Sequence, residues 1–283
     1  LKKNYKYTKI QKLSSSELST IIDTDLYDGG CLDFGAGHLN PLKFVQGLGT
    51  AAKKNNVQIF EKCCVEKIDY GKKNTISVSN GYTVVCDYLI IACNGYLGNL
   101  EPNISSRVMP INNFILTTEV LGNNLLNSFL NNNYAVADNK FVPNYFRPSP
   151  DNRLIFGGGE NYTYRFPKDI KTIVRKKMLK VYPQLKNTRI DFAWGGTLAV
   201  TRNRLPYFAK IQPNVFSASG YSGHGVALSV LAGKIIAELI EGDSKRFNFM
   251  NSIPIKPFPG NSNFQWPLLV LGMLWYSLRD RFK

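Results

Sequence analysis

The stretch GYSGHGVALSVLAGKIIAELIEG, residues 220 to 242, places Gly220, Gly223 and Gly225, with Ser222 among them, in front of a long apolar run. A helix beginning near Val226 leaves free N–H groups at its first turn, and their partial positive charge attracts an anion or a dipole. Glycines let a flat or charged ligand come close to the backbone; the same loop also serves as a bare tight turn. No G-x-G-x-x-G fingerprint in a βαβ context occurs anywhere in the chain, so a dinucleotide bound here would need its main phosphate cradle upstream of Leu1. Acyl hydrolysis is disfavoured. Ser222 sits between a strand and a helix, but His224 stands where G-x-S-x-G requires glycine, and no histidine follows it. His38, in GAGHLNPL, is expected to be a structural partner. The cysteines Cys31, Cys63, Cys64, Cys86 and Cys93 form no C-x-x-C, and the chain has 2 histidines, so neither a disulfide framework nor a metal site is expected.

These residues need elements to hold them. NVFSASG (214 to 220) reads as a strand entering the loop, and the helix beyond carries Leu228, Leu231, Ile235 and Leu239 at helical spacing, closed by Gly242. Upstream, SSSELSTII (14 to 22) predicts a short helix capped by Ser14 or Ser15 with Glu17 reaching back. LNPLKFVQGLGTAAKKNN (39 to 56) predicts a second, with Leu42, Val45 and Leu48 on one face. VQIFEKCCVEKIDYG, NTISVSNG and YTVVCDYLIIACNG read as successive strands, with Asn80-Gly81 as a hairpin turn. Tyr88 to Cys93 is continuously apolar, as suits a strand buried on both faces that delivers its carboxyl end to a site. From 101 to 210, the strand-like pieces NNFILTTEVL, NRLIFGGG and RIDFAWGGTL surround one helix, FPKDIKTIVRKKMLKVYPQL. It has Pro167 near its start, Ile170, Ile173, Val174, Met178 and Val181 on one face, and Pro183 as its stop.

At 283 residues and 44% hydrophobic, the chain is long enough for a sizeable core and one or two domains. It opens on Leu1 without an apolar leader, and reads as the rear part of a longer polypeptide. The formal net charge of +15 is compatible with nucleic acid, anionic lipid or an anionic ligand. The lysines are scattered, however, and a solvated basic surface is the simpler account, with no nucleic acid expected. The run from Pro267 to Leu278 is shorter than the roughly 20 residues needed to cross a bilayer. Trp266, Leu271, Trp275 and Tyr276, with Arg279, Arg281 and Lys283, suit at most a weak contact with a membrane surface. A reducing cytoplasm is the simplest compartment.

Five ordered blocks carry a resemblance: GHLNPLKFVQGL (37 to 48), DYLIIACNG (87 to 95), YFRPSPDNRLIFGGG (145 to 159), WGGTLAVTRNRLPYF (194 to 208) and GYSGHGVALSVLAGKIIAELI (220 to 240). Together they resemble the D-amino-acid-oxidase-like, or DAO, family of FAD-dependent oxidoreductases. The resemblance implies an α/β (α+β) fold: an FAD-binding α/β domain lacking its first βαβ unit, plus an antiparallel-sheet substrate domain. The implied division is a helical segment at 1–30, FAD-binding parts at 31–100 and 211–245, a substrate domain at 101–210 and an extension at 246–283. It implies FAD as cofactor, near Val65, Ala92 and Gly95, with Gly220, Tyr221, Ser222, Gly223, His224, Gly225 and Val226 along the isoalloxazine ring. The implied chemistry is hydride transfer from the carbon beside an amine nitrogen to flavin N5, followed by hydrolysis of the imine; no acid or base residue is nominated. Tyr145 matches a substrate-lining tyrosine. Leu198 occupies the place of the arginine that clamps a substrate carboxylate in the family's amino-acid oxidases, which favours an amine of the gamma-glutamylputrescine kind over sarcosine, glycine or D-amino acids. Arg147, Arg202 and Arg204 are the candidates for a distant carboxylate. A basic nucleic-acid module is the alternative outside enzymes, and the oligomeric state is not legible.

Overall fold

The computed structural model describes residues 1–130, 132–140, 142–161, 165–260, 267 and 271. The chain divides into two compact units. One comprises Leu1–Leu39 and Asn112–Gly196, and the other comprises Asn40–Ile111 and the described residues from Thr197 on.

In chain order the elements begin with α1 (Lys2–Tyr5), β1 (Ile10–Leu13), α2 (Ser15–Ser19) and β2 (Gly30–Asp33). α2 starts as expected: the Glu17 N–H donates to Ser14 Oγ at 3.3 Å, and the Ser14 N–H donates to Glu17 Oε2 at 2.7 Å. α3 (Pro41–Lys54) is capped by Asn40, whose Oδ1 accepts from the Lys43 N–H at 3.1 Å. Next come β3 (Val65–Asp69), β4 (Asn74–Val78), β5 (Thr83–Cys86), β6 (Leu89–Ile91), α4 (Pro102–Ser105) and β7 (Met109–Thr118). Then follow α5 (Asn123–Phe129), β8 (Val136–Ala137), β9 (Tyr145–Pro148), β10 (Leu154–Asn161), α6 (Ile170–Val181) and β11 (Ile190–Val200). β12 (Tyr207–Gln212), β13 (Val215–Ser219), α7 (Gly225–Ile240) and α8 (Lys245–Asn251) complete the described elements.

The first unit holds a five-stranded sheet in the order β11-β7-β10-β9-β8, in which β10 runs antiparallel to β7 and β9. α6 packs on β10, with Val174, Met178 and Val181 fully buried among Phe114, Leu116, Phe146 and Phe156. The Phe146 and Phe156 rings stack at 5.5 Å between centroids. Each such side chain contributes about 1.5–3 kcal/mol by leaving water. α6 begins after Asp169, whose Oδ1 accepts from the Thr172 N–H at 2.9 Å. Ile173, expected on its buried face, is 38% exposed.

In the second unit, β3, β4 and β5 form an antiparallel meander, and a separate sheet runs β12-β13-β6, with β13 parallel to β6. Three expectations are corrected. Residues 57–64 are not strand, and the expected single strand YTVVCDYLIIACNG is two strands in different sheets. The break falls at Asp87, whose carbonyl accepts from Asn214 Nδ2 at 2.8 Å, so the backbone leaves the meander and turns toward β13. Nor is Tyr88 to Cys93 buried on both faces. Ile91 is buried, but Tyr88 is 51% and Ile90 42% exposed, because β6 is the edge of its sheet and pairs only with β13 among the described residues. α7 packs Ala232, Ile235 and Ile236 against Phe208, Phe216 and Phe247.

No described helix is long and apolar enough to cross a membrane. The membrane-surface contact expected of residues 264–283 lies, save for positions 267 and 271, outside the described residues.

Candidate functional site

β13 runs directly into the glycine loop, and hydrogen bonds fix the turn on its inner side. Gly220 has φ +72°, and a Cβ there would lie 2.5 Å from Thr201 Cγ2, so only glycine fits. Its N–H donates to Asn94 Oδ1 at 3.1 Å. Ser222, also at positive φ, donates from its N–H to Ala199 O at 2.9 Å. The Ser222 hydroxyl donates to Gly220 O at 3.2 Å and accepts from the Thr201 N–H at 3.3 Å, which is the work of a turn residue. Tyr221 points inward: its hydroxyl donates to Ala218 O at 3.0 Å, and burial pushes the phenol up to about 12.

The outer side of the loop is bare. Gly223 and His224 are exposed, and a Cβ on Gly223 would meet nothing within 4 Å. His224 is the N-cap of α7 but makes no side-chain cap, so the first-turn N–H groups lack that partner and the positive end of the helix dipole faces outward.

A cavity of about 440 Å³ opens beside this loop, within the size range of small-molecule sites. Of the sequence-predicted cofactor residues, Ala92, Tyr221, Gly225 and Val226 line it. The remainder are placed differently. Gly95 is packed against the end of β11, where a Cβ would lie 2.9 Å from Leu198 O. Val65 starts β3 beside a register shift in its ladder with β4. Burial, with Cys64 nearby, raises the pKa of the Cys93 thiol, between Ala92 and Asn94.

The four substrate candidates do not fall in one unit: Tyr145 and Arg147 belong to the first, Arg202 and Arg204 to the second. Arg147 donates to Leu39 O at 3.2 Å and Pro148 O at 3.4 Å, and lies 3.4 Å from His38 Nδ1. His38 Nε2 lies 2.7 Å from Asn133 O, so the structural role expected of His38 extends to a small network that also holds Arg147. Arg202 donates to Pro257 O at 3.1 Å. Arg204 adopts φ +62°.

Sequence reasoning missed two contributors. Asn94, at φ +48°, lines the cavity and holds the Gly220 N–H, joining the end of β6 to the loop. α3 adds Phe44, Val45 and Leu48 to the cavity wall. The signal for α3 was its own amphipathic stripe. Nothing local to Asn94 announced a partner 126 residues away.

The fold has known counterparts. The chain is 37% identical over 278 residues to gamma-glutamylputrescine oxidoreductase of Escherichia coli (strain K12), covering 98% of this chain and 65% of that protein. It is 38% identical to a probable oxidoreductase OrdL of Rhizobium meliloti (strain 1021), covering 98% of this chain and 64% of that protein. The chain thus spans less than two thirds of the length of these relatives. Among solved structures, glycine oxidase from Geobacillus kaustophilus superposes with a TM-score of 0.73 at 20% identity, over 87% of this chain and 68% of that one. L-proline dehydrogenase from P. horikoshii gives 0.69 at 19% identity, over 83% of this chain and 66% of that one. The model of the DAO family, described as FAD dependent oxidoreductase, matches residues 1–239, and the chain belongs to that family.

Proposed function

We infer that the chain forms the larger part of an FAD-dependent amine oxidoreductase, in which the Gly220–Val226 loop lies along the flavin. The observation that carries this is the bare outer side of that loop: Gly223 leaves open space, and the start of α7 has no side-chain cap. These residues fit the group. A flat ring needs a wall without side chains, which Gly223 and Gly225 provide, and a reduced, negatively charged ring needs N–H donors and a helix dipole, which α7 provides. When bound, FAD supplies the two-electron acceptor for an amine, which leaves as an imine that water hydrolyses. The chain's own part is to orient and to stabilise charge. Tyr221 and Asn94 fix the loop from beneath, and Tyr145 stands as the substrate-side tyrosine of the first unit. The rest of the cofactor site, a phosphate cradle on a strand–loop–helix unit, is expected beside the edge of β6 that pairs with no described strand.

A gamma-glutamylated diamine is the favoured substrate. It rests on the similarity to the Escherichia coli enzyme and on Leu198, an apolar side chain where an α-carboxylate clamp would stand. The test is a spectrum of the protein made from its complete coding sequence. Flavin bands should bleach anaerobically with gamma-glutamylputrescine, and more slowly with glycine, sarcosine or D-alanine. Flavin bands that no amine bleaches would overturn the assignment.

A further inference from the structure

β9 turns alternate side chains to opposite faces of the first unit's sheet. Phe146 enters the core with Phe156, while Tyr145, opposite Gly157, and Arg147, opposite Ile155, share the other face. Both are half-buried. Two residues of strand, about 7 Å, separate them. Of the three candidate arginines, Arg147 alone belongs to the unit that carries Tyr145.

Arg147 is tethered without being neutralised. Its Nη1 donates to Pro148 O at 3.4 Å and lies 3.4 Å from His38 Nδ1, and its Nη2 donates to Leu39 O at 3.2 Å. His38 Nε2 lies 2.7 Å from Asn133 O. A carbonyl only accepts, so Nε2 carries the ring proton and Nδ1 accepts from Arg147. Every one of these partners is neutral. Among the described residues no carboxylate comes within ion-pair distance of the guanidinium, and burial alone lowers its pKa, with no acid to hold it up. The Nε–H and one Nη2–H have no partner among the described residues. A half-buried cation with unused forked donors and no counter-ion is stabilised by a carboxylate brought to it.

We propose that Arg147 is the specificity-determining residue that receives the carboxylate at the far end of the amine substrate. This rests on the assignment of Tyr145 to the amine site under the proposed function. In gamma-glutamylputrescine about nine bonds separate the carbon that gives up hydride from the carboxylate carbon, as much as three residues of extended chain, or about 10 Å. The offset along β9 together with the arginine stem is of that order. In an α-amino acid the carboxylate stands on the same carbon as the amine, too close to that nitrogen to meet a cation so far from Tyr145. The arrangement selects amines whose carboxylate is remote.

The test uses holoenzyme made from the complete coding sequence and compares gamma-glutamylputrescine with its α-carboxamide, which has the same length and lacks the negative charge. The unaltered protein should show a kcat/KM about tenfold higher for the carboxylate, the size of one charge-assisted pair. Arg147→Gln should bring the two substrates within about twofold of each other, the change falling on KM for the carboxylate. Arg147→Lys, which keeps the charge and loses the fork, should fall between. A preference that survives Arg147→Gln, an equal loss with both substrates, or no preference in the unaltered protein overturns the proposal. Should Arg147→Gln fail to fold, Arg147→Lys alone decides, and an undiminished preference there overturns it. Failure of the broader assignment is distinguishable: no amine would then bleach the unaltered enzyme.

Discussion

Tyr221 holds the loop from below, and its phenol gives the loop a pH signature. A tyrosine in the unfolded chain ionises near pH 10, and burial moves Tyr221 up to about 12. Between those values the unfolded state alone releases the proton, so the contribution is complete below about pH 10 and is lost as pH rises toward about 12. Tyr221→Phe removes that proton from the difference between the two states. Its urea midpoint should therefore fall less steeply with pH across this window than that of the unaltered protein. Equal slopes would mean that Tyr221 ionises freely in the folded chain. Ser222 shows at the same scale why residue type alone misleads. Strand before it, helix after it and a positive φ suggest a nucleophile, yet its hydroxyl bonds within the loop.

α3 is a 14-residue helix with an apolar stripe and no buried residue. Val45 is 57% and Leu48 45% exposed, and the α7 surface beside them leaves Val226 50% and Val230 44% exposed. A helix apolar on several sides normally has neighbours on several sides. Val45→Lys and Leu48→Lys should accordingly change the stability of this 283-residue chain by less than about 0.5 kcal/mol, as read from denaturant midpoints. In the protein made from its complete coding sequence the same changes should cost more than 1 kcal/mol, on the order of a lost core side chain. Legibility in the sequence follows the same division. The cap of α2 was readable because Ser14 and Glu17 act within three residues of each other; the caps of α3 and α6, on Asn40 and Asp169, were not read from the sequence. The glycine loop, β13 and α7 were readable because strand, turn and helix lie in line. The split between β5 and β6 was not, since it depends on Asn214 far along the chain.

Across the molecule, the bare stripe of α3, Ile90 on the edge of β6 and Val226 on α7 share one cavity wall. A contiguous apolar surface of this kind binds dye and promotes association. The 283-residue chain should bind 1-anilinonaphthalene-8-sulfonate strongly, and the protein made from its complete coding sequence should bind it at a small fraction of that level. Equal dye binding by the two would show that the surface stays open in the complete protein. The charge of +15 adds no localised site by itself, because basic side chains occur in both units. The parallel pairing of β6 with β13 has a further consequence. Leu89 meets Val215 only after the intervening chain, including the whole stretch Asn112–Gly196, has been made. Two of the four pairings in the first unit's sheet, β8 with β9 and β9 with β10, join strands consecutive in the chain. Long-range pairing is slow because the chain must first bring distant ends together. During synthesis on the ribosome the inserted unit therefore has a head start, and the strand that presents the glycine loop waits, half assembled, for the last quarter of the chain to emerge.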